Sequence, residues 1–229
     1  MINCEQKIWH EKDKEYFNDF SAPVMENSHR LHYTNINSTI PFYGPMLYYL
    51  VRAFGCEQVL EIGTAEGYTS FYLANAVRDN SERYQMAGNM FYGVDICNHD
   101  VHQHLSDRGL PNDIRYMDSK DLSRDTFKDV RFDFIFQDGD HSTEAVVREF
   151  ELLWPQLKSG GTAYWVCHDV YGPAEEGCRI IQKRIEEGEF KAEFIRLFSV
   201  YGLMLIRKMD DYDYDKRFWV SDEIGSSGK

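Results

Sequence analysis

Basic residues are in short supply in this chain. Its 229 residues carry 25 Lys and Arg against 38 Asp and Glu, a formal net charge of -13. Such a surface repels phosphate backbones, and no basic cluster interrupts it, because Lys183-Arg184 and Arg207-Lys208 are isolated pairs. A nucleic-acid partner is therefore not expected. Cysteine offers no scaffold either. Cys4, Cys56, Cys97, Cys167 and Cys178 are odd in number, widely spaced and without a Cys-x-x-Cys pair. That excludes a disulfide framework and a structural zinc site and leaves free, mostly buried thiols. No apolar run approaches the roughly 20 residues of a membrane helix. Residues 1–20 are charged throughout, unlike a secretory leader. The expectation is a cytoplasmic protein with no membrane or nucleic-acid partner.

What is present builds one domain. Hydrophobic residues make up 43% of the chain and aromatic residues 15%, enough for a large core. Residues 1–40 read as an N-terminal extension or lid, 41–208 as the domain proper, and 209–229 as an acidic tail. Pro41 starts a helix to Phe54 with Met46, Leu47, Leu50 and Val51 on one face. Strand and helix patterns then alternate. Strands are predicted at 58–62, 91–96, 113–117, 132–138 and 162–167, and helices at 68–78, 99–108, 119–127, 142–157 and 175–187. This rhythm implies a parallel sheet with helices on both faces. It breaks at the end, where 193–200 and 201–207 are two strand-like runs with no helix between them, an antiparallel hairpin. The fold class is thus α/β, a Rossmann-like seven-stranded, mostly parallel sheet. No internal repeat and no domain linker is found.

In such a sheet ligands bind at the carboxyl ends of the strands. The first strand ends in Glu61-Ile62-Gly63-Thr64-Ala65-Glu66-Gly67. This is Glu-x-Gly-x-x-x-Gly, not the Gly-x-Gly-x-x-Gly that cradles a dinucleotide pyrophosphate. The spacing suits a small cofactor with an amino-acid end and a nucleoside end. Gly63 and Gly67 permit close backbone approach, and Glu61 offers a carboxylate to an ammonium. Asp95 ends the second strand, where a carboxylate accepts from ribose hydroxyls. Asp118 and Ser119 follow the third, suited to an adenine amino group or equally to capping a helix. After the very apolar fourth strand comes Asp138-Gly139-Asp140-His141-Ser142, and after the fifth His168-Asp169. Acids and imidazoles crowded at a sheet edge need a ligand, a metal or exposure. If these two strands are neighbours, Asp138, His168 and Asp169 converge into a divalent-cation site. Carboxylate and water favour magnesium or manganese, while imidazole pulls towards manganese, iron or zinc. The blander reading has Asp140 and Ser142 capping the next helix and His168 packed as a neutral side chain.

Together, Glu-Ile-Gly-Thr-x-x-Gly-Tyr-Thr-Ser, Val-Asp, Asp-Gly-Asp-His-Ser and His-Asp-Val resemble the class I S-adenosylmethionine (SAM) methyltransferases. Within them the chain is most similar to the small-molecule O-methyltransferase branch and its Asp-Gly-Asp-His group, which includes macrocin-type and cephalosporin-hydroxylase-like proteins. Catechol and caffeoyl-CoA O-methyltransferases are more distant. The resemblance spans roughly residues 37–208. It implies SAM as cofactor, with Glu61 and Gly63 beside the methionine amino group, Thr69 near its carboxylate, Asp95 on the ribose, and Asp118, Ser119 and Asp138 completing the site. Asn37 to Pro41, with Thr39, would close over the methionine end. Catechol-type enzymes bind a metal through one acid after strand four and an acid–amide pair after strand five, which match Asp138, then His168 and Asp169. His168 departs from that pattern. Those enzymes also carry a lysine base three residues after the first acid, and His141 stands there. The implied activity is methyl transfer to a hydroxyl of a small molecule, with His141 and Asp138 catalytic. N-methylation, or iron-dependent oxygenation on the same fold, are the alternatives. A homodimer formed through the aromatic N-terminus and residues 209–220 stays open.

Overall fold

The computed structural model describes residues 43–85, 87–197 and 202–210. The N-terminal extension with Thr39, and the tail beyond Asp210, lie outside them. The elements are α1 (Tyr43–Phe54), β1 (Gln58–Ile62), α2 (Tyr68–Tyr84), β2 (Met90–Asp95), α3 (Val101–Ser106), β3 (Asn112–Tyr116), β4 (Phe134–Gln137), α4 (Thr143–Leu153), β5 (Tyr164–His168), α5 (Glu175–Glu186), β6 (Ala192–Leu197) and β7 (Leu203–Lys208). They form one seven-stranded sheet in the order β3-β2-β1-β4-β5-β7-β6. All pairings are parallel except those of β7 with β5 and β6. The α/β class, the strand count and the terminal hairpin match the sequence reading.

Period-two alternation sorts the strands into two buried faces. Leu60, Ile62, Ile135, Trp165 and Cys167 pack with Val146 and Phe150 of α4 and with Cys178 and Ile181 of α5. Val59, Phe134, Phe136 and Val166 pack with Leu47 and Val51 of α1, Leu73 and Val77 of α2 and Val101 of α3. Glu61, between Leu60 and Ile62, therefore faces the α1–α2 side.

One predicted helix is corrected. Residues 119–127 form only a 3-10 turn, Ser119–Asp121, followed by irregular chain. Short polar side chains here bond locally to backbone and compete with helix. Asp118 accepts from Lys120 N, and Thr126 Oγ1 from Ser123 N. Leu122 and Phe127 anchor the segment to the core. Helix 142–157 is shortened in a similar spirit: α4 stops at Leu153 and a 3-10 turn carries on through Pro155, which has no N–H to continue the ladder. Among the described residues no helix is long and apolar enough to cross a membrane.

Candidate active site

The strand order reverses direction between β1 and β4, so the loops after them splay apart and open a crevice. The strand ends around it are stitched by backbone bonds. Gly63 N donates to Val94 O, Asp138 N to Ile62 O, and Met117 N to Asp95 O, at 2.8, 2.9 and 2.7 Å. A cavity of about 430 Å³ lies here, walled by Gly63, Asp95, Ile96, Asp118, Ser119 and Asp138, among others. Five of the predicted cofactor residues, Gly63, Asp95, Asp118, Ser119 and Asp138, thus share one cavity. Ala65, Ile96, Met117 and Lys120 also line it and carry no sequence signal of their own.

The glycines of the first turn are needed by the protein as much as by a ligand. Gly63 has φ +90, and a Cβ there would fall 2.2 Å from the Asp138 carbonyl oxygen. Only glycine lets the β1 and β4 loops approach so closely. Gly67 has φ +87 and its Cβ would press on Val101 of α3 at 3.0 Å, so it is a packing position away from the cavity wall. Thr69, in the first turn of α2, is 4% exposed and does not line the cavity.

Asp95 ties two turns together, its carboxylate oxygens accepting from Ala65 N at 2.7 Å and Cys97 N at 2.8 Å. Both bonds hold the carboxylate at the cavity wall. Glu61 sits behind that wall. It is 1% exposed and accepts from the Ser70 hydroxyl of α2, a partner with no sequence signal. Burial pushes its carboxyl well above the usual range; the Ser70 bond opposes this, and the Asp138 and Asp95 charges add to it.

The loops after β4 and β5 meet as predicted, because the strands pair in parallel with Gln137 opposite Cys167. His168 Nδ1 lies 2.7 Å from Asp138 Oδ1 and 3.2 Å from Asp169 Oδ1. His141 joins them, with Nε2 3.3 Å from Asp138 Oδ1 and Nδ1 3.4 Å from Asp169 Oδ2. One donor atom from each of the four residues falls within 4.8 Å of all the others. Burial depresses the His141 pKa, but the hydrogen bond and charge of Asp138, then Asp169 and Asp140, outweigh it and leave the imidazole above its ordinary value. Burial raises the Asp169 carboxyl, partly countered by His168 and His141. Asp169 is also held at φ +58, an uncommon backbone state for a non-glycine residue and one that clusters at functional sites. Tyr43 packs edge-on against His168 with ring centroids 4.8 Å apart.

Both capping roles coexist with the site. Asp118 accepts from Lys120 N, and Ser142 Oγ accepts from Ala145 N at the start of α4. Asp140 accepts from Ser142 N, a bond that lowers its carboxyl pKa.

Solved methyltransferases share this fold. An O-methyltransferase from Bacillus cereus, solved with S-adenosylhomocysteine (SAH), superposes with a TM-score of 0.65 at 18% identity, covering 91% of this chain and 100% of that one. The O-methyltransferase TomG of Streptomyces achromogenes, which takes part in tomaymycin synthesis, was solved with SAM. It gives 0.61 at 16% identity over 80% of this chain and 86% of its own. SAH-bound PaMTH1 of Podospora anserina, a methyltransferase, gives 0.62 at 14% over 81% and 86%. No curated protein matches the chain. Residues 60–170 match the family model described as a methyltransferase domain, so the matched stretch runs from β1 to the loop after β5 and holds the cavity and the histidine–aspartate cluster.

Proposed function

We propose that the chain transfers a methyl group from SAM to a hydroxyl oxygen of a small molecule. The observation that carries this reading is Asp138, which belongs both to the cavity wall at the switch point and to the cluster with His141, His168 and Asp169. A methyl donor in the cavity and an acceptor at the cluster would then meet across one residue. SAM supplies an electrophilic methyl on its sulfonium. Asp95 would accept from the ribose hydroxyls, Asp118 and Ser119 would take the adenine edge, and Glu61 with the α2 N-terminus would serve the amino-acid end. Alignment is the protein's main contribution, because a bound, in-line pair removes most of the entropy of encounter.

In the ion-free protein the acceptor proton goes to His141. Its Nδ1 lies against Asp169, which fixes the ring and favours the imidazolium that forms. Asp138, His168 and Asp169 would hold a divalent cation, which would lower the pKa of the acceptor hydroxyl. The acidic surface favours a small acceptor over nucleic acid, and a cytoplasmic homodimer accords with the same reading.

Calorimetry with SAH and SAM in EDTA tests the cofactor half. Micromolar binding supports it, and absence of binding moves the iron-dependent oxygenase or a degenerate, non-enzymatic reading to first place. For the chemistry, a panel of hydroxyl compounds is screened for SAH release. His141→Ala should lose about 100-fold or more in turnover while SAH affinity holds. Equal loss of SAH affinity would refute the assignment of His141.

A further inference from the structure

We propose that Asp138, His141, His168 and Asp169 together form a two-imidazole, two-carboxylate site that takes a divalent first-row transition ion and discriminates against magnesium. This deepens the methyl-transfer reading and rests on it only for the placement of the acceptor. It adds His141 to the ligand set and changes the class of ion.

Spacing is the first argument. Four tetrahedral ligands about 2.1 Å from an ion stand about 3.4 Å from one another. With His141 ligating through Nε2 and Asp169 through Oδ1, two of the cluster's contacts, at 3.2 and 3.3 Å, already have that spacing. The pair His168 Nδ1 and Asp138 Oδ1, at 2.7 Å, must open. That pair hydrogen-bonds when no ion is present, and the proton leaves it when one binds.

An unmet acceptor is the second. Asp169 is 8% exposed, and its Oδ1 is shut off from solvent and accepts no hydrogen bond among the described residues, although it points at His168 Nδ1. A hydrogen-bonded cluster alone leaves this carboxylate oxygen unsatisfied beside a second carboxylate, an arrangement that is unfavourable in a buried place. A cation bound between them satisfies it.

The donor set is the third. Magnesium demands an octahedron of oxygens and gives up its waters reluctantly. Half the donors here are imidazole nitrogens, and His168 is 4% exposed, which leaves little room for retained water. Imidazole beside carboxylate suits manganese, iron, cobalt or zinc. When the ion is bound His141 donates its lone pair to it, so the ion-loaded protein cannot use His141 as its base.

The test uses the full chain carrying Cys97→Ser, which removes the exposed Asp95, Cys97, His99 group as a competing site. The protein is stripped with EDTA, dialysed, and titrated with cobalt chloride while the visible d–d bands are followed. One equivalent should develop four-coordinate bands, zinc chloride should abolish them, and millimolar magnesium chloride should leave them intact. His141→Ala should weaken cobalt binding roughly tenfold or more and alter the bands, with circular dichroism confirming the fold. Displacement by magnesium, absence of bands, or identical titrations for parent and variant would each overturn the proposal. SAH calorimetry on the same stripped protein keeps the two readings apart. SAH binding without cobalt bands sinks only the ion site, whereas bands without SAH binding sink only methyl transfer.

Discussion

Glu61 gives the sharpest physical prediction. It lies 1% exposed on the α2 face of β1, and its side-chain bond comes from Ser70. Burial holds its carboxyl well above the ordinary 4.5, with Asp138 and Asp95 pushing the same way. In the unfolded chain the same carboxyl loses its proton near the ordinary value. Between those two pKa values the folded state binds one more proton than the unfolded state, so Glu61 makes stability fall as pH rises, by about 1.4 kcal/mol per pH unit. Glutamine keeps the shape and the Ser70 bond and does not titrate. Glu61→Gln should therefore be more stable than the parent above the ordinary carboxyl pKa, by a margin that widens with pH until the folded carboxyl itself ionises. Urea unfolding of the ligand-free protein, followed by Trp fluorescence in steps between about pH 5 and pH 8, measures the margin directly. SAH affinity should move the other way. Loss of a charged partner for the ammonium costs about 1.5–3 kcal/mol, roughly 10- to 100-fold in Kd. Calorimetry in two buffers of different ionisation enthalpy should also show a proton released on SAH binding to the parent and none from the variant. Stability curves of the two proteins that run parallel across the whole range would mean Glu61 is already ionised in the empty fold, and the argument would fail.

Three further outcomes follow from the geometry. Gly63→Ala forces a side chain into φ +90 and 2.2 Å from the Asp138 carbonyl; it should destabilise the fold by about 2 kcal/mol or more and weaken SAH binding, and a wild-type urea midpoint would contradict it. Asp95→Ala unties Ala65 and Cys97 and removes the ribose acceptor, so SAH affinity should drop by at least about tenfold with little change in the β1–β4 core; unaltered calorimetry would remove Asp95 from the site. Asp133→Ala leaves the Glu57 and Gln58 amides and Lys158 without their carboxylate, for a loss of about 3 kcal/mol read by thermal unfolding, with SAH binding at saturation unchanged.

The fold was legible because its signals are local and redundant. Apolar runs of strand length alternate with helix-period stretches, and two strand-like runs, 193–200 and 201–207, with no helical pattern between them mark the antiparallel hairpin. Where boundaries moved, a tertiary contact or a local side-chain bond decided. The apolar pattern of α2 fades after Val77, yet the helix runs to Tyr84 because Asn80 donates to Val51 O and Cys56 O and pins its last turns to α1. The alternation of strand and helix predicts a helix over residues 119–127, but Asp118, Ser123 and Thr126 bond their own neighbours instead.

The site was legible as an edge and illegible as a constellation. Strand ends name the residues that share the edge, and Asp138, His168 and Asp169 were placed together on that ground alone. That His141 would close the group depends on how one five-residue loop, 138–142, turns. Gly139 passes within 3.3 Å of Ile62 where a Cβ would stand, and Asp140 anchors Ser142 N at the start of α4. The turn swings the imidazole back across the β4 end to Asp169, itself held at φ +58. No spacing rule encodes that return. Glu61 is the opposite case, since its burial was readable. In Val59-Leu60-Glu61-Ile62 a period of two puts Glu61 on the same face as Val59, under α2, so its carboxylate meets Ser70 before it meets any ligand. The acids of this edge thus divide by depth. Asp95 and Asp118 stand at the cavity wall, Glu61 lies behind it, and Asp138 faces both the cavity and the histidines, which makes it the residue through which cofactor and acceptor chemistry would have to communicate.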